Sequence, residues 1–480
     1  MPNPVAQPAY DRASLTQGIV HIGIGNFHRA HMAVYLDDLF ATGRDHDWAI
    51  LGAGVRPTDA KMRQMLAAQN HLSTVIELDP AGASARQIGA MTGFVEVQPD
   101  NAALIAAMAA PNIRIVSLTV TEGGYYIDPA TGHFDAAHPD IAADAANPAK
   151  PATAFGAIIA ALKARKQAGT PPFTVMSCDN LPGNGHVTRD AVTGLAALSD
   201  PAFAAWISAN VAFPNGMVDR ITPATGPHER ALAAEFGLSD PVPVTCEPFR
   251  QWVLEDNFPN GRPALEQVGV TFTPHVHAFE AMKIRILNGG HAIIAYPSGL
   301  MDIEYVHEAM ENPLIAAFLM ATEQREILPH VPPVPGTNLA DYLALIRARF
   351  ANPKIADTIR RLCFDGSNRQ PKFILPAIKD NLAAGTTPHG LILLSALWCR
   401  YCAGTTQSGA VIAANDPRWE QLQTRALAAR TNPALWLQMP EIYGDLAQNP
   451  AMVATFSAAL VAIWADGPAK TMQDYIAQTV

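Results

Sequence analysis

Short apolar runs alternate with longer stretches of helical spacing through the first half of the chain. The runs Gly18–Gly23, Trp48–Ala53, Ile113–Leu118 and Phe173–Cys178 are strand-like, and Ala30–Ala41 and Thr153–Gln167 are long enough to serve as helical crossovers between them. Strands that are apolar at nearly every position are buried on both faces, so the pattern predicts a mostly parallel sheet covered by helices. Beyond about residue 280 the strand-like runs stop. Ala/Leu-rich segments with helical periodicity take over at Ile303–Leu328, Asn338–Phe350, His389–Cys402 and Pro417–Ala429, interrupted by a proline-rich loop at Pro329–Gly336. The expectation is an α/β N-terminal domain with a mostly parallel sheet over residues 1–280, followed by a mainly α-helical domain over 281–480.

A chain of 480 residues exceeds what one hydrophobic core normally supports, and 49% hydrophobic with 16% charged residues suits a well-buried enzyme. The net charge of −10, with no basic run, removes the attraction that drives nucleic-acid binding. The N-terminal residues lack the features of a leader, and no apolar run approaches the ~18 residues of a membrane span. A soluble cytoplasmic protein with no membrane partner is expected. Five scattered cysteines argue for reduced thiols rather than a disulfide framework. The close pair Cys399 and Cys402 has no second pair to complete a zinc knuckle.

The first strand runs into Gly23-Ile24-Gly25-Asn26-Phe27-His28 and then a helix, the context that a dinucleotide-binding turn requires. Gly23 and Gly25 allow a tight turn and close approach to a pyrophosphate at the helix N-terminus. His28 stands where the third glycine of the usual pattern would be, and a purely structural strand-to-helix turn gives the same pattern. Asp59 is the first acid after the second strand. It is the candidate to hold the adenosine ribose, which favours NAD over NADP, and a helix cap is the alternative role.

The second cluster is Lys283-x4-Asn288-x2-His291. At about 100° per residue these three project at roughly 0°, 140° and 80°, on one side of a helix. Apolar neighbours would desolvate Lys283 and lower its pKa toward that of a general base; the alternative is a lysine that snorkels to solvent. Gly289 and Gly290 each cost a helix about 1 kcal/mol relative to alanine, which a close approach by a ligand or another backbone would justify. Asn180, at the end of the strand-like run Phe173–Cys178, is placed to donate to a developing alkoxide.

Taken together, the blocks Gly23–His31, Thr119–Tyr125, Ser177–Asn180, Phe213–Ile221, Lys283–His291 and Asp365–Ser367 resemble the polyol-specific long-chain dehydrogenase/reductase family over nearly the whole chain. The resemblance implies a Rossmann-type NAD-binding domain over 1–280, a mainly helical substrate domain over 281–480, and a metal-independent oxidoreductase that interconverts a sugar alcohol and a ketose with NAD. Mannitol and fructose are the default pair, and arabinitol, glucitol and altritol are alternatives. It implies Lys283 as general base, Asn180 and Asn288 as an oxyanion hole, His291 and Asp219 as substrate contacts, and Glu280 on a proton path to solvent, unless Glu280 is simply a helix-start carboxylate. Asn26, Phe27, Thr121 and Glu122 join Gly23, Gly25 and Asp59 as cofactor contacts. Arg361 and Arg369 are candidates to reach the distal hydroxyls or the cofactor, with ordinary surface charge as the alternative. A monomer or weak homo-oligomer is expected.

Three rival readings remain at this level. A hexuronate (fructuronate or tagaturonate) reductase would need cations such as Arg361, Arg369 and Lys372. A zinc enzyme would use His275 and His277, whose side chains would diverge on a strand. A non-enzymatic NAD-sensing protein is the third.

Overall fold

The computed structural model describes residues 5–128 and 131–478. The chain divides into two compact units, Met1–His277 and Ala278–Val480.

The strands of the first unit are β1 (Gln17–Ile22), β2 (Ala49–Ala53), β3 (Ser73–Asp79), β4 (Gly82–Ile88), β5 (Met91–Phe94), β6 (Ile115–Leu118), β7 (Thr174–Ser177), β8 (Gly216–Asp219), β9 (Val244–Cys246), β10 (Gln251–Leu254) and β11 (Thr271–Phe272). Five of them form a parallel sheet in the order β5-β2-β1-β6-β7. The four strand-like runs of the sequence supply its four adjacent members. β1 lies at the centre: Val20 and Ile22 pack into the core on one face and Ile19 into the core on the other, which is why the run is apolar throughout. The chain leaves β1 toward β2 on one side and resumes at β6 on the other. The C-terminal ends of β1 and β6 therefore flank the point where strand order reverses, the usual ligand crevice of an open α/β sheet. Two three-stranded sheets, β4-β3-β9 and β11-β10-β8, complete the unit.

Among the described residues of the second unit, extended pairing is confined to the isolated bridges Tyr305–Thr358 and Thr405–Val411. Its regular structure is otherwise helical, joined by turns and loops, as the periodicity predicts. The expected segment 303–328 is divided: Asn312 caps a new helix at Pro313 by accepting from Leu314 and Ile315 N–H. Contrary to the expectation that no apolar run approaches a membrane span, the last helix, Pro450–Ala477, is long and apolar enough to cross a membrane by length and composition. It buries Met452, Phe456, Leu460 and Ile463 at helical spacing and kinks at Gly467–Pro468. All five cysteines are buried and unpaired.

Candidate active site

In the first unit the turn after β1 is built around Gly23, whose φ of +99° is a conformation L side chains rarely adopt. A Cβ there would stand 2.1 Å from the Thr119 carbonyl oxygen. Thr119 Oγ1 in turn donates to Gly23 O at 2.5 Å. Gly25 differs: among the described residues nothing lies within 4 Å of where its Cβ would be. That open side, with the unpaired N–H groups at the start of the helix Asn26–Ala30, fits a dinucleotide pyrophosphate.

The Asn26 side chain has other work. Its Nδ2 donates to Pro223 O and Thr225 Oγ1, and its Oδ1 accepts from Arg29 at 2.8 Å, so only its backbone is available to an anion. Phe27 stacks on His31. His28, in the place of the third glycine, is buried and stacks on His21 of β1 with centroids 3.6 Å apart. His21 spans Ser117 Oγ (2.7 Å) and Thr119 Oγ1 (2.8 Å), linking β1, β6 and the glycine turn. Burial pushes the His21 pKa down to about 3, so the ring is neutral, donating through one nitrogen and accepting through the other.

Asp59 lies beyond β2 as the first residue of the helix Asp59–Ala68, against Gly54. The alternative capping role does not hold: the cap position belongs to Thr58, and the Asp59 carboxylate accepts from Arg56 N–H at 2.9 Å, closing the turn. Thr121 follows β6 with φ 68° and ψ 166°, a region that is essentially glycine-only and costs a β-branched residue of order 1–3 kcal/mol. Glu122 begins the short helical turn after it. Asn180 is exposed just past β7, and Asp219 is buried at the end of β8.

In the second unit Lys283 is 6% exposed and Glu280 7% exposed. Glu280 belongs to the helix Val276–Met282, whereas Lys283–Asn288 is a π-helical turn, with Gly289 N–H bonded to Ile284 O. The uniform 100° step is therefore corrected: the wider turn shifts Asn288 and His291 in phase relative to Lys283. Arg285 pins the turn, donating to His330 O at 2.8 Å and pairing with Asp380 at 2.5 Å. Among the described residues the glycine pair is not met by a closely approaching backbone: at Gly290 a Cβ would stand 3.3 Å from the side-chain atoms Glu323 Oε1 and Phe350 Cε2, and Gly289 has ordinary contacts. Glu323 is fully buried, and burial pushes its carboxyl well above the usual range, so it is neutral behind the helix.

His291 stacks on Phe350 at 4.2 Å. Burial, then the fields of Arg361, Arg349 and Arg369, hold its pKa well below the ordinary value. His291 Nε2 and Asn288 Oδ1 are enclosed and have no hydrogen-bond partner among the described residues. A hydroxylated ligand satisfies such groups. Arg361 forms a two-pronged pair with Asp357, Arg369 donates to Leu362 O at 2.9 Å, and Lys372 lies on the helix Gly366–Phe373.

The strand reading of His275 and His277 is also corrected: His275 sits in a turn and His277 in the first turn of a helix, its ring beside His186. Among the described residues no group of three or more His, Cys, Asp or Glu side chains is arranged to hold a metal ion.

Sequence reasoning passed over His21, Asp179 and Arg220. Arg220 is buried beside Asp219 and donates to Ala30 O, Glu247 O and Glu77. The available signal was the same for all three, a polar residue inside or directly after an apolar strand.

The chain matches the mannitol dehydrogenase Rossmann domain over residues 17–267 and the mannitol dehydrogenase C-terminal domain over 275–464. It is 72% identical to a mannitol 2-dehydrogenase of Cereibacter sphaeroides, over 99% of this chain and all of that one. It is 43% identical to one of Aspergillus terreus, over 98% and 96% of the two chains. Among solved structures, the Pseudomonas fluorescens mannitol 2-dehydrogenase ternary complex with NAD and D-mannitol superposes with a TM-score of 0.88 at 44% identity, covering 99% of this chain and 97% of that one. A substrate-free D-sorbitol dehydrogenase gives 0.90 at 33% identity, covering 98% of each.

Proposed function

This chain belongs to the mannitol dehydrogenase family, and on that premise we propose that it is an NAD-dependent polyol dehydrogenase that interconverts D-mannitol and fructose, with Lys283 as its general base and no metal ion. The observation that carries the chemical part is the stretch Lys283–His291: a buried lysine, then an amide and an imidazole each with an enclosed polar atom awaiting a partner.

When bound, the nicotinamide ring supplies the hydride acceptor. The chain's own groups manage the proton and the oxygen. Neutral Lys283 takes the hydroxyl proton, a role that burial of its ammonium form favours. Donation to the developing alkoxide falls to the amides of Asn180 and Asn288, the work a zinc ion performs in other alcohol dehydrogenases. His291, kept neutral by burial and three arginines, holds a substrate hydroxyl in place. Glu280 offers the proton a route onward. The glycine turn at Gly23 and Gly25 cradles the pyrophosphate, and Asp59 faces the ribose side, where its charge opposes a 2′-phosphate.

The test is Lys283→Ala, assayed against a panel of polyols and hexuronates with NAD and NADP. Turnover with mannitol falls by about 10²–10⁴-fold while NADH affinity is retained. Near-normal turnover in the purified variant would remove the lysine assignment, and preference for a hexuronate would replace the substrate class.

A further inference from the structure

We propose that Asp179 is a positioning residue for the cofactor: its carboxylate holds the Thr121–Glu122 loop in its strained shape and ties that loop to the strand end carrying Asn180. The proposal rests on the reading of Thr121 and Glu122 as cofactor contacts. Asp179 Oδ2 accepts from Val120 N–H at 2.9 Å and from Tyr125 Oη at 2.7 Å, and Oδ1 accepts from Thr121 N–H at 3.0 Å. Tyr125 Oη also meets Ser177 Oγ at 2.6 Å, and Asp179 N–H donates to the same Ser177 Oγ at 3.2 Å, closing the network onto β7. Tyr125, Ser177 and Asp179 are all buried.

Three features make this more than a packed loop. The carboxylate bonds the two peptide N–H groups that bracket Val120 and lead into Thr121, the residue held in a glycine-only conformation. A threonine there persists only where its surroundings over-determine the backbone. The loop lies at the C-terminal ends of β6 and β7, adjacent strands on the ligand side of the sheet. An ionised carboxylate is also the one common side chain that accepts on both oxygens, so Asn in its place turns an NH2 group toward one of the three donors. Burial raises the Asp179 carboxyl above its ordinary value, and the three donors, which favour the ionised form, oppose that rise.

The experiment compares NADH binding by fluorescence titration, and turnover with mannitol, in Asp179→Asn, Thr121→Gly and the double variant. Asp179→Asn weakens NADH binding about tenfold or more in folded protein, because a buried N–H loses its acceptor. Glycine adopts the loop conformation without a clamp, so the double variant recovers at least about half of that loss on a logarithmic scale. A folded Asp179→Asn that binds NADH as the parent does, or a double variant no better than the single, overturns the proposal. Should Asp179→Asn not fold, Tyr125→Phe removes one donor and leaves both backbone bonds. It then weakens NADH binding by about two- to fivefold, and parental affinity overturns the proposal. NADH binding is read without substrate, so absence of polyol oxidation in the parent would refute the proposed function and leave this comparison decisive.

Discussion

Lowering the pH from 7 to 5 tests the claim that the glycine turn and its neighbours are built on neutral, buried imidazoles. His21 and His31 are both fully buried, and burial brings each pKa down to about 3. In the unfolded chain each titrates near 6.5. Between those values the unfolded state binds more protons than the folded state, so stability is lost as pH falls from about 6.5 toward 3. At pH 5 each histidine costs about 2 kcal/mol relative to pH 7, from 1.5 pH steps at about 1.4 kcal/mol each, and the pair costs about 4 kcal/mol. Buried carboxyls that are held neutral, such as Glu323, act with the opposite sign in this window. The total slope is therefore uninformative, and the informative quantity is the difference between the parent and His31→Gln. His31 Nε2 meets Gln251 O at 2.9 Å, a bond the glutamine amide can imitate, while Nδ1 has no partner among the described residues and is where the proton must go. Urea denaturation of both proteins at pH 7 and pH 5 gives the comparison. The variant loses about 2 kcal/mol less than the parent. An equal loss in the two proteins would show that the buried imidazole does not titrate as argued.

Two further outcomes follow from the same geometry. Gly23→Ala places a methyl group 2.1 Å from the Thr119 carbonyl at a φ of +99°, so NADH affinity falls by about tenfold or more with a clear loss of thermal stability; isothermal titration and a melting curve check both. On the proposed mechanism, in which amide donors replace a Lewis acid, exhaustive chelation leaves mannitol oxidation unchanged; activity lost on chelation and restored by zinc would contradict that mechanism.

Much of the architecture was legible along the chain because it follows local rules. A strand buried on both faces must be apolar throughout, and β1, β2, β6 and β7 are; a helical domain must repeat near every 3.6 residues, and the second half does. The break at Asn312–Pro313 was equally readable, since a capping residue followed by proline opens a helix, but the apolar periodicity on either side masked it. The π-helical turn at Lys283–Asn288 was not readable. The same apolar positions are compatible with bonds to the fourth or the fifth residue back, and the pinning of Arg285 to His330 and Asp380 accompanies the wider turn. His28 announced an anomaly in the glycine pattern, but its reason, a histidine waiting on β1, is a contact between elements.

The sequence by itself determined four adjacent strands of the parallel sheet, the helical second half and the need for a turn at Gly23, since periodicity and backbone sterics act over a few residues. Tertiary structure alone decided how the buried polar groups are matched. Asp179 meets Thr121 across 58 positions, and His21 meets Thr119 across 98. Nothing local encodes such pairs; they exist because a buried donor or acceptor without a partner is costly, and only the folded sheet brings the partner within reach.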